Sequence, residues 1–189
     1  MKRTHLDYML RVRLPLIIFV AAASAIATFY VSRAERDGVG YGPDQPIPFS
    51  HKLHAGTMQI DCKYCHTGVE VSPAATVPAV SICMNCHAIA RKDKPAIVAL
   101  TTYYDEGRAI PWKRVHKVPD FAYFNHSAHV NRGIDCVNCH GQVQNMEVVE
   151  QVSDFVMSAC LDCHRNAPER LATVPGIRKG PEYCSACHR

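Results

Sequence analysis

Cys136-Val137-Asn138-Cys139-His140 is one of five Cys-x-x-Cys-His pentapeptides, and together they use all ten cysteines of the chain. The others are Cys62-Lys63-Tyr64-Cys65-His66, Cys83-Met84-Asn85-Cys86-His87, Cys160-Leu161-Asp162-Cys163-His164 and Cys184-Ser185-Ala186-Cys187-His188. This spacing is the covalent attachment site of c-type haem. Two thiols close thioethers with the vinyl groups of the porphyrin, and the adjoining histidine binds iron from one side. Zinc knuckles use Cys-x-x-Cys pairs in twos, which leaves one of five unpartnered, and they require no histidine after each second cysteine. A redox dithiol requires none either. The reading is five haem c, with His66, His87, His140, His164 and His188 as proximal ligands. No thiol is left for a disulfide.

Working outward, residues 33–189 give roughly 31 residues to each haem, too few to wrap each porphyrin separately. The haems must pack on one another and form much of the core themselves. The expected fold class is mostly irregular with short α-helices, in keeping with 12 prolines and 10 glycines. The net charge of +4 is uneven. Lys2, Arg3, Arg11 and Arg13 against Asp7 leave residues 1–32 at +3 and the remainder near +1. The basic excess borders an apolar segment, so it faces lipid headgroups, and nucleic acid is not an expected partner.

That segment, residues 14–32, has no charged side chain and is read as a transmembrane anchor. Pro15 falls in its first turn, where a missing N–H costs little. Small residues at 21–27 would also suit a cleaved signal peptide, but the apolar run is longer than such peptides use. The positive-inside rule makes residues 1–13 cytoplasmic and puts the haem domain on the periplasmic side of the cytoplasmic membrane, a single-pass arrangement. Residues 33–48, rich in glycine and proline, read as a linker.

The haem domain is a degenerate duplication. Phe49-Ser50-His51-Lys52-Leu53-His54 precedes the first motif, and Phe124-Asn125-His126-Ser127-Ala128-His129 precedes the third. The repeats span residues 49–120, with two haems and a connector, and 121–189, with three haems; a near-constant offset links them. Five histidines remain for five irons once the attachment histidines and His5 are set aside: His51, His54, His116, His126 and His129. That count favours six-coordinate bis-histidine iron, with no open position and no catalytic site of the chain's own. The chain stops one residue after His188, so the last haem must draw its distal ligand from upstream. His116 is the expected ligand there, and Met146 its competitor, since methionine also binds haem iron. Met157 is the methionine nearest to that haem in sequence.

The Phe-x-His-x-x-His motif ahead of Cys-x-x-Cys-His resembles the class III multihaem cytochromes of c3 and c7 type. The resemblance implies that His51 and His126 serve the first haem of each repeat, and His54 and His129 the next. One departure is that repeat two has no histidine between its first two motifs. The anchor, the 2+3 organisation and the connector Pro111-Trp112-Lys113-Arg114-Val115-His116-Lys117-Val118-Pro119-Asp120 are similar to the pentahaem subunit of alternative complex III. This likeness implies an electron conduit in a quinol-oxidising respiratory assembly. Its implied partners are an iron–sulfur subunit, polytopic quinol-binding subunits and a monohaem cytochrome c. A stand-alone membrane-anchored quinol dehydrogenase feeding a periplasmic reductase is the alternative; it requires a quinol site beside the anchor, from which the linker separates the haems.

Two scaffold helices are expected. Residues 95–106 carry proline in the first turn and end at Gly107. Residues 147–157 place Val148, Val149, Val152, Phe155 and Val156 at helical spacing. Lys113, Arg114 and Lys117 read equally as a solvated face or as partners for haem propionates.

Overall fold

The computed structural model describes residues 5–32 and 38–188. Residues 1–4 of the expected cytoplasmic terminus, residues 33–37 of the expected linker and residue 189 lie outside them. The chain forms two units, Met1–Arg36 and Asp37–Arg189.

In the first unit α1 (His5–Tyr8), a π-helical turn (Met9–Arg13) and α2 (Leu14–Val31) continue as one helix. Pro15 has no N–H to offer a preceding carbonyl, and the wider turn before it, with Leu14 N–H bonded to Met9 O, accommodates that loss. Asp7 and Arg11, one turn apart, pair at 2.6 Å. The helix Leu6–Val31 has 26 residues, the uncharged part beginning at Leu14. At 1.5 Å per residue it is about 39 Å long, enough to cross a hydrocarbon layer of about 30 Å. No side chain of α2 is buried. A helix apolar on every side must find lipid or protein to cover it.

The second unit contains no strand among the described residues. It is built from α3 (Cys62–Cys65), α4 (Val80–His87), α5 (Pro95–Asp105), α6 (His126–Val130), α7 (Val137–His140) and α8 (Met157–Arg170), joined by turns and loops. A π-helical turn covers Lys52–Thr57, and a 3-10 turn carries Cys184–Ala186. Its apolar centre is small: Ile47, Leu100 and Ile110 pack with Val80, Met84, Ile97, Tyr103 and Trp112, chiefly where α4 meets α5. Only six apolar residues are fully buried among those described. A domain of this length ordinarily hides far more. The thin core matches a fold that encloses prosthetic groups.

Helix α5 has the expected start and stop, with Pro95 in its first turn and Gly107 beyond it at φ +63°. The helix expected over residues 147–157 does not form. Residues 147–156 are irregular, and α8 begins only at Met157. Gln151 decides this: its N–H bonds Tyr41 O at 3.0 Å and its carbonyl accepts from Gly40 at 2.7 Å. Its side chain, 1% exposed, accepts the N–H of Lys117. Long-range pairing takes the backbone groups a helix would use, and the surrounding valines have little helical preference to oppose it.

The two repeats clasp each other. Lys52 N–H reaches Met146 O at 3.0 Å, and the N–H groups of His126 and Ser127 reach Pro73 O and Ser72 O. Gly56 lies so close to the Gln144 carbonyl that an added Cβ would stand 2.2 Å from its oxygen.

Candidate haem-binding site

Each attachment motif is wound into a helical turn. The histidine N–H bonds the carbonyl of the first cysteine at 2.9 Å in the first, third and fifth motifs. The second and fourth motifs lie inside α4 and α8. One turn puts residues i, i+3 and i+4 on the same side, which is what two thioethers and one axial imidazole require. Asp61 caps the first motif by accepting the Lys63 N–H at 2.7 Å.

The duplication is visible in the side chains. The Phe49 ring lies 4.8 Å from His51 at 85° and 4.4 Å from His54 at 23°. Phe124 lies 4.8 Å from His126 at 89° and 4.5 Å from His129 at 30°. His54 Nδ1 donates to Ser50 O and His129 Nδ1 to Asn125 O, both at 2.8 Å. The phenylalanine of each repeat therefore sets the angle between its two histidines.

Two imidazoles bound through Nε2 on opposite sides of one metal have ring centres roughly 6 Å apart, from a bond of about 2.0 Å and a ring radius of about 1.1 Å. His54 and His87 are 6.2 Å apart, His126 and His140 6.4 Å, and His129 and His164 6.1 Å. His51 is close enough to His66 to feel its charge. Nδ1 donates to a backbone carbonyl in His54, His66, His87, His126, His129, His164 and His188, the acceptors of the attachment histidines being Thr76, Ala90, Pro181 and Phe121. A carbonyl can only accept, so Nδ1 carries the proton and Nε2 keeps its lone pair for iron. Burial lowers the pKa of His51 to about 4 and of His140 to about 4, and it also lowers His116 and His129. These rings are neutral, the form that binds metal. Nδ1 of His51 and Nε2 of His116 are buried without a partner in the polypeptide. The donor set fits haem. When bound, each haem c supplies an iron that exchanges one electron between its ferric and ferrous forms.

His116, expected opposite His188, lies elsewhere. Its ring stands edge-on to His140 at 4.3 Å and 83°, too close for a metal between them, with Phe155 at 6.1 Å. Met146 sits beside the first repeat, where its carbonyl takes the Lys52 N–H. His188 instead stacks on Phe121 at 5.9 Å. For His5, nothing of the side chain is described.

Several attachment motifs lie close enough for their thiols to influence each other. Burial raises the thiols of Cys65, Cys83, Cys136, Cys139 and Cys160, and a neighbouring motif adds to each. Cys65 interacts with Cys83 and Cys86, Cys136 with Cys62, Cys139 with Cys163 and Cys160, and Cys160 with Cys187. The first motif thus adjoins the second and the third, the third adjoins the fourth, and the fourth adjoins the fifth.

The backbone carbonyls that fix the imidazoles were beyond sequence reasoning, since any residue supplies one. Pro168 was a legible signal. It lies inside α8 with no N–H for the His164 carbonyl, and Gly180 N–H takes that carbonyl at 2.8 Å. Pro181 O receives His164 Nδ1 at 2.7 Å, so one peptide segment holds the histidine at both ends.

A dithiol or zinc protein has no use for imidazoles facing one another across such a gap; a multihaem c-type cytochrome is built on them. Residues 122–189 match the family model described as cytochrome c7 and related cytochrome c. Over 167 aligned residues the chain is 33% identical to the menaquinone reductase multihaem cytochrome c subunit of Nitratidesulfovibrio vulgaris, covering 77% of each protein. The chain belongs to the family of that multihaem cytochrome c subunit.

Proposed function

We propose that this chain is a membrane-anchored five-haem electron relay within a quinone-linked respiratory complex. The observation that supports the reading is the set of imidazoles standing about 6 Å from the attachment histidines His87, His140 and His164, a spacing that suits six-coordinate iron and leaves electron transfer as its chemistry. His51, His54, His126 and His129 are the distal ligands of the first four motifs, paired with His66, His87, His140 and His164 in that order. The Leu6–Val31 helix anchors the chain with its amino terminus cytoplasmic and its haem domain periplasmic. Polytopic quinone-binding subunits, an iron–sulfur subunit and a monohaem cytochrome c are its partners in an assembly of alternative complex III type. There the chain carries electrons released by quinol oxidation, one at a time, toward a periplasmic cytochrome or a terminal oxidase.

The reverse direction is the second reading, favoured by the name of the relative, a menaquinone reductase subunit. Purification of the complex from native membranes, with mass spectrometry of the co-purifying proteins, tests the assembly. Stopped-flow reduction then tests direction. Rapid haem reduction by menaquinol supports quinol oxidation. Reduction only by a periplasmic donor, followed by loss of electrons to menaquinone, supports the second reading. A chain that purifies with no polytopic subunit counts against both.

A further inference from the structure

We propose that the loop of residues 68–76 positions axial histidines of two different haems, His66 of the first motif and His126 opposite the third, and so ties the potentials of those two irons together. The proposal rests on the five-haem reading and deepens it, naming one segment as a shared control on two steps of the relay.

One end of the loop holds His66. Thr76 O takes the Nδ1 proton of His66 at 2.8 Å. Thr76 presents that carbonyl from φ +63°, a region that β-branched side chains avoid. Such a conformation persists only where the surroundings over-determine it, and it gathers at functional sites. The surroundings here are tight. Gly68 O accepts the N–H groups of Val71 at 3.2 Å and Ser72 at 2.8 Å. A Cβ on Gly68 would stand 2.7 Å from Thr76 Cγ2 and 2.8 Å from Ala74 O, so the loop closes on itself.

The outer part of the loop holds α6, the helix of the second repeat that carries His126 and His129. Pro73 O accepts two bonds from His126, the backbone N–H at 3.1 Å and Nδ1 at 2.8 Å. Ser72 O takes the Ser127 N–H at 3.2 Å, and Glu70 O takes the side-chain amide of Asn131 at 3.0 Å. Glu70 also pairs with Lys63, inside the first motif, at 2.6 Å. Pro73 and Thr76 are three residues apart in a loop pinned at Gly68, so neither carbonyl can turn far without carrying the other. His126 in turn lies parallel to His140 of the third motif at 6.4 Å.

A carbonyl that accepts the Nδ1 proton makes the imidazole a more basic ligand. A more basic ligand favours ferric iron, and hydrogen bonding around the ligands is one of the levers on haem potential. Loosening this loop should therefore raise two potentials at once. His87 and His164 take their acceptors from Ala90 and Pro181, outside the loop, and serve as references within the same molecule.

The test uses the haem-loaded full-length chain with heavy nitrogen in its histidines, as wild type, Thr76→Pro, Thr76→Gly and Gly68→Ala. Nuclear magnetic resonance of the reduced protein reads the solvent exchange of each axial Nδ1 proton. Redox titration reads the midpoint potentials, and intact mass counts the haems. Proline fixes φ at about −65° and turns the carbonyl of residue 76 away, whereas glycine keeps the positive φ. Thr76→Pro should speed exchange at both His66 and His126 by about tenfold, the loss of roughly one hydrogen bond at each. It should leave His87 and His164 unchanged and raise two midpoint potentials. Thr76→Gly should restore slow exchange at both rings. Gly68→Ala presses on the loop from its other end and should reproduce Thr76→Pro; it decides the matter if Thr76→Pro takes up no haem. A change at His66 alone, no change at either ring, or equal acceleration at every axial histidine overturns the shared positioning. A wild-type mass with fewer than five haems overturns the five-haem reading. The positioning falls with it only if the missing haem is that of Cys62 and Cys65 or that of Cys136 and Cys139.

Discussion

Gly180 donates its N–H to the carbonyl of His164 at 2.8 Å, and its Cα packs so closely on the histidine that an added Cβ would lie 2.5 Å from the ring. Real Cβ atoms do not approach ring carbons so closely, so either the backbone or the imidazole must move. Gly180→Ala should destabilise the holoprotein by about 1–3 kcal/mol through overpacking. It should also disturb the low-spin electron paramagnetic resonance signal of one haem, the fourth. Thermal unfolding and the resonance spectrum read the two effects separately. An unchanged spectrum would show that the contact does not orient His164.

Gly56→Ala should be more severe than Gly107→Ala. At Gly56 the new methyl meets the Gln144 carbonyl at 2.2 Å, a backbone atom that can move only by separating the two repeats. At Gly107 nothing lies within 4 Å, and only the positive φ of +63° opposes the substitution. The second change should cost about 1–2 kcal/mol. The first should exceed it, as parallel thermal melts of the two variants would record.

Removing a facing imidazole should open an iron. His129→Ala takes away the ring 6.1 Å from His164, and His54→Ala the ring 6.2 Å from His87. Each variant should keep its haem count, because the thioethers are untouched, and gain one equivalent of carbon monoxide binding after reduction. Titration of the reduced variants measures that stoichiometry.

His116→Leu provides the contrast. Its ring packs on His140 and its Nε2 has no partner in the polypeptide, so the substitution removes a buried polar atom and keeps a comparable volume. The variant should retain its haem count and bind no added carbon monoxide. The midpoint potential of one haem should move, because the surroundings of an axial ligand tune the metal. A new carbon-monoxide-binding haem in this variant would identify His116 as an axial ligand after all.

Cys184→Ser/Cys187→Ser should lower the haem count by one and leave the remaining low-spin signals in place. The fifth motif adjoins the fourth, Cys187 lying near Cys160. Intact mass and a haemochrome assay count the haems. The equivalent change at Cys136 and Cys139, which adjoin the first and the fourth motifs, should disturb the whole domain.

The attachment motifs, the paired histidines and the apolar helix were legible because each depends on residues within a few positions of one another. Cys136, Cys139 and His140 share a helical turn whatever surrounds them, and Phe124 meets His126 and His129 across the same short span. Helix α5 was legible from Pro95 and Gly107 for the same local reason. The helix expected at residues 147–157 failed because its apolar spacing was satisfied in another way. Gln151 is anchored to Gly40, Tyr41 and Lys117, none of them near it in sequence.

Local stretches of chain specified five Cys-x-x-Cys-His motifs, a duplicated Phe-x-His-x-x-His motif and one helix long and apolar enough to cross a membrane. Which imidazole faces which, which motifs adjoin, and the place of His116 beside His140 rather than His188 were set by the folding of distant segments onto one another. Thioether formation and proximal ligation need only a single turn of chain. A facing ligand comes from a distant segment, and its position is set by carbonyls such as Pro73 O and Pro181 O and by close approaches such as Gly56 to Gln144. Those contacts exist only once the chain has folded back on itself.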